Sequence, residues 1–236
     1  MLDALIIGSG YLGTCLKKQF ENVQSSSLDQ AGDFSFSLEE SPFEILPKAK
    51  TLIISCSTEK MGVRAEAFAE FAKNHYQKCT LISTASLFKV SQANEIVTDD
   101  HPLKLEHPRT ISESYFRSFS AILYCGLLWD DHLRQPQNWL PRIQNGAKHV
   151  NLCKIDLVAQ ICLLISEMSD FPSGSYICSD AQALTWSDIA QKTQQSLKSK
   201  IPGIESKILL PQKLQSLLKS KIDWNSFVYC VKKEPK

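Results

Sequence analysis

Three observations predict an α/β fold, a doubly wound parallel sheet with a small C-terminal lobe. Short apolar runs alternate with helical stripes along most of the chain, the pattern of a parallel sheet covered on both faces. The first run, Ala4-Leu5-Ile6-Ile7, leads into Gly8-Ser9-Gly10-Tyr11-Leu12-Gly13. That is a G-x-G-x-x-G spacing between a strand and a helix, the signature of a Rossmann-type dinucleotide turn. The length of 236 residues allows one such domain with an appendage. On this reading residues 1–182 form the NAD(P)-binding domain, with 130–150 an excursion, and residues 183–236 form the lobe.

Each element has its own signal. Leu12, Cys15, Leu16 and Phe20 make the apolar stripe of the first helix, and Asn22 to Ser27 reads as a weak second strand. Phe34 to Leu38 alternates as a third strand should. Thr51 to Cys56 is a buried strand, followed by Val63, Ala67, Phe68, Phe71 and Ala72 at helical spacing. Cys79 to Thr84 is the next strand and ends in small hydroxyl residues. Lys89 to His107 is polar and loop-like, with a short helix expected over Thr110 to Arg117. Ser120 to Cys125 is a further strand. Two prolines mark the excursion from Trp129 to Gly146. Asp156 is placed to cap a helix over Leu157 to Met168. Ser175 to Cys178 is the last sheet strand, Thr185 or Ser187 caps a helix reaching about Leu197, and Leu209 to Leu218 reads as an amphipathic helix.

The glycines carry the chemistry. Gly8 allows the tight turn, Gly10 lets backbone approach a pyrophosphate, and Gly13 lets the helix pack close to the strand. The helix start then offers N–H groups and a positive dipole end to phosphates. The choice between NAD and NADP turns on the end of the second strand, where a carboxylate grips the ribose of NAD and an arginine suits the 2′-phosphate of NADP. Here stand Ser25, Ser26 and Ser27, with Asp29 slightly later. The missing carboxylate leans the expectation slightly to NADP.

Bulk properties exclude other classes. A net charge of +1 gives no electrostatic reason to expect nucleic acid or an anionic membrane as partner. Residues 1–20 carry no signal-peptide pattern, and the longest apolar run, Ala121 to Trp129, is too short for a bilayer. The eight cysteines are scattered, form no C-x-x-C pair and fit no zinc spacing. They read as structural thiols in a cytoplasmic protein without a metal.

Taken in order, these segments resemble the extended short-chain dehydrogenases/reductases, in the NAD(P)-dependent epimerase/dehydratase branch. Ile82-Ser83-Thr84-Ala85-Ser86-Leu87-Phe88 resembles that family's fifth-strand signature. The resemblance puts Thr84 at the catalytic hydroxyl position, with Ser86 nearby. Val97 to Pro102 resembles the acidic, proline-ended loop, and Ile122 to Gly126 the sixth strand beside the nicotinamide. Asn151 to Leu157, Gly174 to Tyr176 and Leu184 to Trp186 resemble the later helix and strand starts. The implied cofactor contacts are Gly8, Ser9, Gly10, Tyr11, Leu12, Gly13, Ser26, Ser57 and Gly126. The implied partner is a small-molecule substrate, and a homodimer is common in the family. The short segment after the last strand argues against a large nucleotide-sugar substrate.

One departure matters most. The family's acid/base pair is Tyr-x-x-x-Lys in the helix after the polar loop. The chain offers there Arg109-Thr110-Ile111-Ser112-Glu113-Ser114-Tyr115-Phe116-Arg117. The pair maps to Arg109 and Glu113, or to Thr110 and Ser114. The one Tyr-x-x-x-Lys in the chain, Tyr229 to Lys233, has none of the surrounding motif. A phenol of pKa about 10 is a poor base at neutral pH without help. Tyr115, Tyr124, Glu113 and His101 are the residues near enough in sequence to replace it, each more often structural. The expectation is therefore a dinucleotide-binding oxidoreductase with an atypical active site, or a binding protein without turnover.

Overall fold

A computed structural model describes residues 1–28, 32–198 and 200–230. Asp29 and Lys233 lie outside the described residues. The first half of the chain runs β1 (Leu2–Ile7), α1 (Tyr11–Lys17), β2 (Val23–Ser27), β3 (Phe34–Ser35), β4 (Ala49–Ile54), α2 (Ala65–His75) and β5 (Lys78–Thr84). It continues through β6 (Glu95–Val97), α3 (Pro108–Ser114), β7 (Ser120–Cys125), β8 (Leu127–Trp129), β9 (His149–Val150) and β10 (Leu152–Lys154). The last part holds α4 (Ile155–Glu167), β11 (Gly174–Cys178), β12 (Leu184–Thr185), α5 (Trp186–Lys192), β13 (Lys207–Leu209) and α6 (Gln212–Leu217).

Seven strands make one sheet in the order β11-β7-β5-β4-β1-β2-β3. The pairs β1–β2, β1–β4, β2–β3 and β4–β5 are parallel. The order reverses at β1, which has β2 on one side and β4 on the other. Ligands of open α/β sheets bind beyond the carboxyl ends of the strands at such a reversal. The glycine turn leaves β1 at this point.

The chain divides into two compact units. Unit 1 holds residues 1–87, 103–124 and 158–176, and its strands are nearly continuous apolar runs: Leu5, Ile6, Leu52, Ile53 and Leu81 are fully buried. Phe68 of α2 packs among Phe36, Phe43, Phe71 and Phe116. The C-terminal carbonyls of α4 are capped across the fold by Lys78, whose Nζ donates to Ile165 O at 3.0 Å and Ser166 O at 2.8 Å, and to Met168 O. Unit 2 holds residues 88–102, 125–157 and 177–236. Its core gathers Trp129, Leu140, Val150, Leu152, Trp186, Ile189, Ala190 and Tyr229.

Several expectations need correction. The α2 stripe is Ala65, Phe68, Ala69 and Ala72; Val63 is 98% exposed in a 3-10 turn broken at Gly62. Ala67 is also exposed. The third strand is only two residues long. Asp156 lies inside the first turn of α4 rather than capping it. Thr185 does cap α5, in a capping box with Asp188, but that helix stops at Lys192. The polar stretch before α3 contains β6, which pairs in parallel with β13, so Leu209 belongs to a strand and only Gln212–Leu217 is helical. No helix among the described residues is long and apolar enough to cross a membrane.

Candidate functional site

The turn after β1 has the shape a dinucleotide requires. Gly8 takes φ +103°, and a Cβ there would meet Ser55 Oγ at 3.0 Å. A Cβ on Gly13 would lie 1.9 Å from the Gly8 carbonyl oxygen, so only glycine lets α1 approach the strand this closely. A Cβ on Gly10 would meet nothing within 4 Å, and Gly10 is exposed. The turn is braced from both sides. Ser55 Oγ donates to Gly8 O at 2.6 Å, and Gly8 N donates to Ser26 O at 3.2 Å. Thr14 Oγ1 donates to Ser9 O at 3.1 Å. Gly10 supplies no side-chain cap to α1, and the first turn holds no acidic residue. Neither a side-chain cap from Gly10 nor a first-turn carboxylate offsets the positive end of the helix. Ser9 and Tyr11 are half-buried and Leu12 is buried.

The end of β2 is less open than its serines suggest. Ser25 donates from N and Oγ to Asp33 Oδ2, at 2.6 and 3.3 Å. Lys17 Nζ closes on the same carboxylate at 2.6 and 2.7 Å and, with the Ser25 N–H, holds the Asp33 carboxyl below the usual range. Ser27 Oγ accepts from Gly32 N at 2.9 Å. Ser26 is 1% exposed and its hydroxyl has no hydrogen-bond partner among the described residues. Ser57, beyond β4, is exposed, and its Oγ accepts from Glu59 N at 3.3 Å.

At the end of β5 two hydroxyls meet. Thr84 Oγ1 and Ser86 Oγ are 3.1 Å apart, and Ser86 N donates to Thr84 Oγ1 at 3.3 Å. Thr84 is half-buried and Ser86 exposed. Lys104 Nζ donates to Ser86 O at 2.9 Å, bringing a cation beside the pair. Nothing in the polar stretch around Lys104 singles it out by sequence.

Helix α3 holds a buried ion pair. Arg109 Nε donates to Glu113 Oε1 at 2.9 Å, and Arg109 Nη2 donates to Ile82 O at 2.6 Å. The side chains are 15% and 0% exposed, and Glu113 Oε2 has no hydrogen-bond partner among the described residues. The guanidinium also acts on Cys56: burial pushes that thiol up to about 11, and the Arg109 charge offsets part of the rise. The i,i+4 spacing of opposite charges was legible in the sequence; its burial was not.

Among solved structures the chain is similar to MoeE5 in complex with UDP-glucose and NAD, at a TM-score of 0.70 with 12% identity over 92% of each chain. It is similar to a short-chain dehydrogenase/reductase superfamily protein from Agrobacterium tumefaciens with bound NAD, at 0.69 with 15% identity over 94% of this chain and 92% of that one. A UDP-glucuronic acid 4-epimerase from Bacillus cereus, solved with NAD, gives 0.67 with 12% identity over 95% and 93%. At these identities the likeness is one of fold: the chain shares the Rossmann-type α/β architecture of these three proteins. Neither a protein-family model nor a curated protein sequence matches it.

Within this fold the sequence-read residues fall into separate groups. Gly8 to Gly13 form one turn, and Thr84 and Ser86 one hydroxyl pair. Gly126, in unit 2, has a packing reason of its own: a Cβ there would sit 2.3 Å from Asn151 O. The other groups considered for acid/base work have the following surroundings. Tyr124 is fully buried in β7, where burial and the Glu113 charge push its phenol up to about 12. His101 Nε2 lies 3.4 Å from Glu95 Oε1, and Tyr115 is 41% exposed. Tyr229 donates its hydroxyl to Gln137 Oε1 at 2.8 Å. Asp99 of the acidic loop binds backbone, accepting from Ile177 N at 2.6 Å and Lys213 N at 3.0 Å.

Proposed function

We propose that the chain binds a nicotinamide dinucleotide at the turn from Gly8 to Gly13 and uses it in an oxidoreductase or epimerase reaction on a small alcohol or carbonyl compound. The observation that carries this reading is the turn: a positive-φ Gly8, a Gly13 on which no Cβ fits, and an open Gly10 before an uncapped helix. Ser9, Tyr11 and Leu12 belong to the same turn, and Ser57 stands exposed beyond the neighbouring strand. Ser26 acts through its carbonyl, which holds Gly8.

NAD is the dinucleotide we favour. The lean toward NADP rests on the missing carboxylate at the end of β2, and the Ser25 to Ser27 side chains that stand there are committed inside the fold or buried. None is left to grip a 2′-phosphate. The relatives of this fold cited above were solved with NAD.

The bound dinucleotide would exchange a hydride with the substrate carbon. The chain's own part is to orient the substrate oxygen and hold the proton that accompanies it. Thr84 and Ser86 share a hydrogen-bonded pair of hydroxyls suited to the first task, and the Lys104 ammonium lies beside them. Arg109 pairs with Glu113 through Oε1, and the two supply no acid or base of the Tyr-x-x-x-Lys kind. That ion pair favours a second reading, a dinucleotide-binding regulator without turnover.

Calorimetric titration with NADH and NADPH tests both. Binding of NADH is expected, with NADPH weaker. Gly10→Val is expected to abolish binding while leaving the melting temperature unchanged, because no atom stands within 4 Å of the new Cβ. Intact binding in that variant, or no heat in the wild type, would sink both readings. Turnover of a panel of ketones, aldehydes and sugar nucleotides that is lost in Thr84→Val, with binding retained, supports the enzyme. Binding without turnover supports the regulator.

A further inference from the structure

Cys125, Cys153 and Cys178 are far apart in sequence and meet inside unit 2. Cys125 and Cys178 end β7 and β11, and Cys153 lies within β10. The three sulfurs all lie within 4.8 Å of one another, with Cys153 and Cys178 at 3.5 Å. Cys125 is 3% exposed and the other two are fully buried. Burial, reinforced by the two neighbouring thiols, pushes the Cys153 thiol well above its ordinary value. Among the described residues no imidazole or carboxylate joins the group.

We propose that this trio is a closed, three-coordinate site for a trivalent thiophilic ion, arsenic(III) or antimony(III). Geometry allows it. With bonds of about 2.3 Å and the pyramidal arrangement that the lone pair of a trivalent ion imposes, three sulfurs around one ion lie about 3.5 Å apart. Cys153 and Cys178 already stand 3.5 Å apart and the Cys125 sulfur lies within 4.8 Å of both, so no pair needs to close by more than about 1.3 Å. A disulfide would require Cys153 and Cys178 to close from 3.5 Å to about 2.05 Å, a larger movement within packed strands.

Charge selects the ion. Thiolates favour soft ions, among them Cu(I) and Zn(II). Three thiolates around Cu(I) leave two net negative charges, and around Zn(II) one. Burying an uncompensated charge costs several kcal/mol. Structural zinc also takes a fourth ligand, which this cluster does not offer. A trivalent ion with three thiolates is neutral. The exchange balances without an oxidant: As(OH)3 and three thiols give As(S-Cys)3 and three waters. Three As–O bonds break and three As–S bonds form. Each thiol proton leaves on a hydroxide, and arsenic keeps its oxidation state.

The test refolds the full chain with sodium arsenite, removes free arsenite, and counts retained arsenic and its sulfur neighbours by X-ray absorption. One arsenic per chain with a three-sulfur shell is expected, together with a raised melting temperature from binding to the folded state. The triple variant Cys125→Ala/Cys153→Ala/Cys178→Ala is expected to lose it, and Cys230→Ser to keep it. Should the triple variant not fold, Cys153→Ala alone is expected to leave at most two sulfurs on any retained arsenic. No retained arsenic, a two-sulfur shell in the wild type, or zinc held as tightly as arsenite would overturn the proposal, leaving the thiols as core packing.

Discussion

At the scale of single residues, the decisive pair is Arg109 and Glu113. Each alone reads as an ordinary charged helix residue. Together they are a buried ion pair. Their energetics are asymmetric. Desolvating both charges offsets most of what their attraction returns, whereas removing one partner leaves the other charge stranded. Arg109→Ala leaves the fully buried Glu113 without its cation and is expected to cost about 3–5 kcal/mol. The double change Arg109→Leu/Glu113→Leu is expected to be near neutral or stabilising. Urea denaturation of the two variants measures both. Equal losses would mean that the pair contributes far more than its desolvation costs. The same residues show what the sequence concealed: the spacing was visible, but whether a charge pair is solvated or buried depends on what packs over it.

At the scale of elements, legibility followed length and apolar content. β1, β4, β5, β7 and β11 are apolar runs buried within the sheet, and each stands close to where the pattern places it. β6 and β13 are three residues each and pair across more than a hundred positions. Neither has a pattern of its own to read, because the partner supplies the order. Val63 shows the opposite failure. It fits the helical stripe by spacing, but Gly62, at φ +52°, breaks the chain before α2 begins and turns Val63 outward. The junction of β1 and α1 was legible because its glycines are demanded by geometry. Gly13→Ala sets a Cβ 1.9 Å from Gly8 O, a clash of backbone that no rotamer relieves. The variant is expected to lose roughly 3 kcal/mol of stability, the upper range for overpacking, and dinucleotide binding with it. The contrast with Gly10→Val separates the two roles of the turn. One glycine is needed to build it and the other to leave room for a ligand. A Gly13→Ala protein as stable as the wild type would show that α1 is free to move away from β1.

At the scale of the whole chain, the strand order was not legible, because alternation gives elements and not neighbours. Nor was the return of the C-terminal segment into the core of unit 2. There Tyr229 packs edge-on against Trp129 at 5.2 Å, and its backbone helps to lower the Asp180 carboxyl. Asp180 is 6% exposed, and its Oδ2 has no hydrogen-bond partner among the described residues. Burial raises its carboxyl to about 7, against partial offset by the backbone hydrogen bonds and by Lys192. A carboxyl raised in the folded state holds a proton that the unfolded chain has already released. Between the unfolded value, about 3.9, and about 7 the native protein therefore binds more protons. Its stability falls as pH rises through that window and levels off above it. The full loss from this group is at most about 4 kcal/mol at 1.36 kcal/mol per pKa unit. Asp180→Asn keeps an acceptor for the backbone N–H groups and removes the titration. It is expected to match the wild type near pH 4 and to exceed it in stability at pH 8, the gap opening between those limits. Denaturant midpoints of the two proteins across that range measure the gap. Parallel curves would mean that Asp180 is ionised in the folded protein at neutral pH, with its buried charge compensated inside unit 2.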